Sequence, residues 1–341
     1  MNQPAPDDAT AAGTYDNAAT RRYGQDPAAA IAAAAAACSN WNRWGPHDAV
    51  GTVNFIEPSH RAYAGTLVRR GVSFSLSLPF DDDGPQNGWR RRVNPVHTMT
   101  STGASTAEML GLPHGLGVAD DAVYMPLQCS TQWDGLGHVF DHGIGWNGRN
   151  AATTVTSDGD LETGIENQSA SVIGRGVLLD VGRAFGIDGE LADGFAITPE
   201  HLDATIELQG ETSRVGRGDL LLVRTGQLTR VRKGAGWGTY AGGPAPGLSF
   251  TTASWIHEHE IATVATDTWG VEVRPNEFPG SVQPLHQVLL PHVGLLLGEM
   301  WDLDILAADC ADDGVFEFLL SAPPLPFTGA VGSPVNPIAL K

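Results

Sequence analysis

Between Leu127 and His138 the chain reads Leu-Gln-Cys-Ser-Thr-Gln-Trp-Asp-Gly-Leu-Gly-His. Gln128, Ser130, Gln132, Asp134 and His138 stand at even positions, and Leu127, Cys129, Thr131 and Trp133 at odd ones. Alternate side chains of an extended chain share a face, so this spacing sets a polar face against an apolar one. A polar face inside a protein needs partners, and a metal ion is an efficient one. Residues two apart on a strand are separated by roughly 6–7 Å, so Gln132 and Asp134 can share an ion. Gln128 and His138 would lie about 33 Å apart on a straight strand, so the segment must bend. Gly135 and Gly137 supply the freedom to turn His138 back. A helical turn would bring Gln128 near Gln132.

A second cluster lies towards the C-terminus. His286 falls on an expected helix, Pro291 and Gly294 break it, and the apolar run Leu295–Leu297 leads to Glu299. A helix followed by a returning strand sets its two ends side by side. A carboxylate buried at the end of such a strand is costly unless paired or bound to a cation. Each residue also has a plainer reading. His292 and Trp133 suit core packing, and Asp134 and Glu299 can bond backbone amides. Thiol catalysis by Cys129 with His138 is opposed by the placement of Cys129 on the other face.

The elements that must position these residues follow from the apolar pattern. Val72, Phe74, Leu76 and Leu78 alternate with serines, as in a half-buried strand. Short apolar runs at Val177–Val181, Leu220–Val223, Ile261–Ala265 and Leu295–Leu297 suit buried strands. Helices are expected near 199–209, 253–260, 283–290 and 302–310. Residues 81–98 read as a long loop. Strands alternating with helices indicate an α/β domain. Residues 1 to about 27 read as a loose tail, and Asp26 and Pro27 as the start of a short alanine helix. The expected division is a flexible, polar and Ala-rich segment over 1–40 and one domain over 41–341.

The net charge of −19 argues against nucleic acid and against an anionic membrane surface as partners. Three cysteines are too few and too odd for a disulfide framework, which points to the cytoplasm. Arg21 and Arg22 ahead of the alanine run have the parts of an export signal, but Asp26-Pro27 interrupts them.

The segment Gln128-x-x-x-Gln132-x-Asp134-x-x-x-His138 resembles the signature of the putative cyclase family, which includes bacterial kynurenine formamidase and isatin hydrolase. Their usual pattern is His-x-Gly-Thr-His-x-Asp-x-Pro-x-His. Thr131, Asp134 and His138 are kept, while Gln128, Gln132 and Leu136 replace two histidines and a proline. The Gln form looks like the metal-dependent trans-dienelactone hydrolase branch. His286 and Glu299 match the family's C-terminal ligand pair. Trp44-Gly45-Pro46, Arg224-Thr225-Gly226, Asp267-Thr268-Trp269-Gly270 and Gly332-Ser333-Pro334-Val335 look like further landmarks.

The resemblance implies a swivelling β/β/α arrangement. It implies a metal site drawn from Gln128, Gln132, Asp134, His138, His286 and Glu299. One zinc or manganese ion is expected, held mainly by Asp134, His286 and Glu299, with the two glutamines as weak oxygen ligands or as groups that orient water or substrate. His138 and Glu299 are the expected catalytic groups. His97, Arg91 and Trp269 are the expected contacts to a small-molecule substrate, in a homo-oligomer. The implied reaction is hydrolysis of a cyclic ester or amide, or of a small acyl amide. A lyase or cyclase acting through an enolate, or a member that has lost catalysis, are the alternatives.

Overall fold

The computed structural model describes residues 15–103, 111–234 and 236–341. Its nine-stranded sheet runs β1 (Ser73–Ser75), β9 (Ile338–Leu340), β7 (Glu317–Ser321), β3 (Ile173–Asp180), β4 (Leu220–Arg224), β5 (Thr263–Thr266), β6 (Leu296–Glu299), β2 (Gln132–Asp134) and β8 (Gly332–Pro334). The centre, β3 to β6, is parallel, and the strands flanking it on either side pair antiparallel.

The central strands are apolar runs because both of their faces are covered. On one face Val177, Leu179, Leu221, Val223, Val264 and Leu297 join a core with the helices. On the other Leu178, Leu220, Leu222, Ala265 and Leu296 join a core with Trp133 and Trp301. The crossovers between the parallel strands carry α4 (Pro199–Gln209), α5 (Gln227–Lys233), α6 (Thr252–Glu258) and α7 (Pro284–Val288). They follow α1 (Ala18–Tyr23), α2 (Pro27–Cys38) and α3 (Pro58–Gly65), and α8 (Asp304–Asp313) leads to β7. This is the expected α/β class, a mixed sheet around a parallel centre.

The N-terminal segment differs from the expected division. Asp26 caps α2 through Ala28 N at 3.0 Å, with Pro27 in the first turn, as the sequence indicates. Ala30, Ile31, Ala34 and Cys38 of that helix are buried in the first core, so packing starts ahead of Trp41. A face of alanines lets α2 approach its neighbours closely, which is why a stretch poor in large apolar residues still packs. The first part of the expected loose tail, residues 1–14, lies outside the described residues.

The 81–98 region is a loop until Val96, where the strand Val96–Ser101 pairs with Asp120–Tyr124 in a separate, largely exposed hairpin.

Candidate metal centre

Two pieces of chain meet at the carboxyl end of β6. The register sets Glu299 opposite Gln132 and Leu297 opposite Asp134. Side chains directly opposite in an antiparallel pair share a face, so Gln132, Asp134 and Glu299 point the same way. Trp133 points the other way, against Trp301 at 4.8 Å between ring centres. His286 comes from α7, which begins at Pro284, runs into a wider turn over Leu289–Val293 and reverses at Gly294 with φ 76°. The chain then returns as β6, which sets His286 Nε2 3.3 Å from Glu299 Oε1.

Asp134, His286 and Glu299 each offer a ligand atom, all within 4.8 Å of one another, and all three are buried. Gln132 Nε2 donates to Asp134 Oδ1 at 3.0 Å and to Glu299 Oε2 at 2.9 Å. Its Oε1 is buried without a hydrogen-bond partner among the described residues. Burial and the nearby charge of Asp134 push the Glu299 carboxyl above its usual range, against the pull of His286 and Arg92. Two buried carboxylates, an imidazole and an orphaned amide oxygen form a donor set that fits a divalent ion.

His286 is held by a residue that the sequence reading did not single out. Its Nδ1 lies 2.5 Å from Glu272 Oε1, and the same carboxylate accepts from Leu285 N and His286 N at 3.0 Å each. Burial alone would lower the His286 pKa, but the hydrogen bonds and charges of Glu272 and Glu299 overcome it and raise it to about 10. With Nδ1–H given to Glu272, Nε2 is the nitrogen that faces the centre. The signal in the sequence is a carboxylate between two valines, Val271-Glu272-Val273, of the same kind that drew attention to Glu299.

His138 turns back as the glycines allow, its N–H bonding Gly135 O at 3.0 Å. Its Nε2 stands 3.7 Å from Asp134 Oδ2 and 3.4 Å from an Arg92 nitrogen. Burial holds its pKa below the usual value, with Asp134 opposing, which favours the proton-free ring that a proton acceptor needs. A cleft of about 560 Å³ opens above it, lined by Arg90, Arg91, Arg92, Gln128, His138 and Gln283 among others. That volume suits a small organic ligand.

The other expected residues fall outside the centre. Gln128 sits half-buried in the turn before β2, against Gly332 and on the cleft wall, and makes no hydrogen bond to Asp134, His286 or Glu299 among the described residues. His97 does not reach the cleft. It is exposed on the separate hairpin, with Nε2 2.8 Å from Asp121 Oδ2, because the strand pairing carries it away. Trp269 is buried and is not among the residues that line the cleft. It donates to Gln86 Oε1 and lies 5.2 Å beneath the Arg92 guanidinium, so it supports that arginine. Of the three neighbouring arginines, Arg91 is exposed on the cleft wall and Arg92 is the buried one beside His138. Burial raises the Cys129 thiol pKa to about 11, which leaves a packing group with little thiolate.

A crystal structure described as a novel cyclase shares 38% identity with this chain, covering 90% of it and 99% of the other chain, with a TM-score of 0.80. Isatin hydrolase A from Labrenzia aggregata, solved with benzyl benzoate, shares the fold at 19% identity, covering 81% and 94% of the two chains, TM-score 0.56. Isatin hydrolase A from Ralstonia solanacearum does so at 14% identity, covering 82% and 95%, TM-score 0.56. No curated protein matches the chain. Residues 74–273, more than half of the chain, match the family described as "Putative cyclase", and the chain belongs to that family.

Proposed function

We propose that the protein is a metal-dependent hydrolase that opens a small cyclic ester or amide, or cleaves a small acyl amide. The observation that carries this reading is the buried Asp134, His286 and Glu299 group beside His138 at the foot of a cleft. A divalent ion, zinc or manganese, held by those three residues would bring the pKa of water towards about 7 and polarise a carbonyl. His138 accepts the proton of the attacking water and returns it to the leaving oxygen or nitrogen. The acyl C–O or C–N bond breaks, the carbonyl carbon gains the hydroxyl, and the leaving group gains the hydrogen. Gln132 keeps Asp134 and Glu299 in place through its amide nitrogen. Gln128 and Gln132, standing where the family has imidazoles, support a place in the trans-dienelactone hydrolase-like branch with one ion.

Elemental analysis with a screen of lactones, imides and small amides in isotopically labelled water tests the proposal. The expected result is about one zinc or manganese per chain, with label in the carboxylate product. Full activity of metal-free protein rejects it, and product formed without label points to a lyase or cyclase instead.

A further inference from the structure

Gln283 immediately precedes Pro284, the first residue of α7, and lines the cleft. Its side-chain amide stands 3.3 Å from His286 Nε2, as close as Glu299 Oε1 stands to the same nitrogen. A β-carbon on Gly270 would lie 3.6 Å from Gln283 Nε2 and 3.7 Å from Glu299 Oε1, so the amide and the carboxylate border one space. Gln283 is a further polar group at the edge of the centre, on its cleft side.

The chain holds it there against a backbone preference. Gln283 adopts φ 52° and ψ 53°, a conformation that a β-carbon disfavours. Its N–H donates to Asn276 Oδ1 at 3.1 Å. Asn276 is buried, and its Nδ2 donates to Val273 O at 2.9 Å and to Glu272 Oε2 at 3.4 Å. Glu272 also fixes His286, so one polar network sets both the amide and the imidazole. A non-glycine residue persists at such a φ only where its surroundings over-determine it, and such residues collect at ligand sites.

The side-chain amide has one hydrogen-bond partner among the described residues, His286 Nε2. That nitrogen faces the centre, so an ion bound to it takes the partner away. The oxygens of Asp134, Glu299 and Gln132 that surround the centre are acceptors. A carbonyl oxygen that gains negative charge needs donors, and an amide turned about its last side-chain bond presents N–H to it.

We infer that Gln283 is a catalytic residue: its amide N–H donates to the oxygen of the reacting carbonyl and stabilises the charge that gathers there as water adds. This rests on the hydrolase reading of the same centre. Addition forms the new carbon–oxygen bond and moves the carbonyl electron pair onto oxygen. Collapse returns that pair, breaks the bond to the leaving group and gives that group the proton held by His138. Gln283 exchanges no proton. Its hydrogen bond strengthens as the charge grows, so it favours the transition state over the bound substrate.

Gln283→Leu removes the amide, and Gln283→Glu keeps its shape without an N–H. Both are compared with the parent in kcat and KM on whichever compound of the lactone, imide and amide screen is turned over. Metal content is measured throughout, with calorimetric binding of acetohydroxamate to the metal-loaded protein. Acetohydroxamate chelates a divalent ion and sets a negatively charged oxygen beside it. The expected loss in both variants is about 10²–10³-fold in kcat, the size of one such donor. The ratio kcat/KM is expected to fall equally at unchanged metal content, as for an interaction made only in the transition state. Acetohydroxamate is expected to bind both variants about tenfold more weakly, the size of a hydrogen bond to a charged oxygen. Unchanged kcat, with or without a raised KM, overturns the proposal and leaves the hydrolase reading standing. Loss of the metal from Gln283→Leu overturns it as well, because the amide then supports the ion rather than the carbonyl. If the parent hydrolyses no compound of the screen, the hydrolase reading loses support and acetohydroxamate decides the place of the amide. Weaker binding in both variants at unchanged metal content supports the donor, and equal binding overturns it.

Discussion

Glu272 offers no atom to the group formed by Asp134, His286 and Glu299, yet it decides which nitrogen of His286 can join it. Its carboxylate takes the Nδ1 hydrogen and two backbone N–H groups of the same turn, so ring and helix end are fixed together. Glu272→Gln keeps the shape and removes the charge. We expect metal affinity to fall about 10–100-fold with the fold retained, as measured by competition with a chelator. An unchanged affinity means that backbone packing alone orients His286. His138 makes a different prediction. It is not one of the three buried ligand residues, so His138→Ala is expected to keep its metal and lose roughly 10²–10⁴-fold in turnover. Loss of the metal from that variant would make His138 an essential ligand, and near-normal turnover would remove it from the proton transfer.

The strand pair β6–β2 is the element on which the centre depends. Gln132 and Glu299 face each other only in the observed register, and a slip of β2 by one residue would turn Gln132 and Asp134 to the other face. Gly298 protects that register from behind. A methyl group there would stand 2.4 Å from Ala265 Cβ and 2.9 Å from the Trp133 ring. Gly298→Ala is therefore expected to cost about 1–3 kcal/mol of stability. It should also lower metal content, because Glu299 is the next residue. Denaturant unfolding with metal analysis checks both, and a neutral change in both would show that the tryptophan layer yields easily. A similar contact lies at the turn into β6, where a methyl on Gly294 would stand 2.5 Å from the Trp146 ring at a φ that favours glycine. The two glycines let the apolar layer close beneath the polar face.

The acidity of the whole molecule bears on its stability. Asp219 lies in the turn before β4, buried, bonded to Arg175 at 2.6 Å and to Gly216 N. Burial raises its pKa to about 6, against the pull of Arg175. The folded protein holds this proton more tightly than the unfolded chain, so the group's contribution to stability is largest below about pH 4 and is lost as pH rises through about 6. Asp219→Asn cannot ionise. Its melting temperature relative to the parent is expected to be lowest at acid pH and to climb between about pH 4 and 6. Parallel melting curves for the two proteins across that window would show that Arg175 compensates the charge. Among the described residues no helix is long and apolar enough to cross a membrane.

Periodicity made the central strands legible. Val177, Leu221, Val264 and Leu297 belong to short apolar runs, and burial on both faces of a parallel sheet leaves no room for polar alternation. The helix, break and returning strand that join His286 to Glu299 were legible too, because Pro291 and Gly294 act on the backbone locally. So was the need for His138 to turn back, since an extended chain could not bring it to Asp134. The pairing of β6 with β2 was not legible, because register depends on which distant strands lie side by side. For the same reason nothing in the chain's order connects Glu272 to His286 Nδ1, or shows that Arg92, rather than Arg91, lies buried beside His138. His97 and Trp269 show the limit from the other direction. Both types suit a ligand, yet strand pairing carries one into an exposed hairpin and packing sets the other beneath Arg92. Residue type and local spacing determine what chemistry a side chain can do and how its own segment bends. Which side chains share a space is decided by contacts between segments far apart in sequence, and only the folded chain makes those.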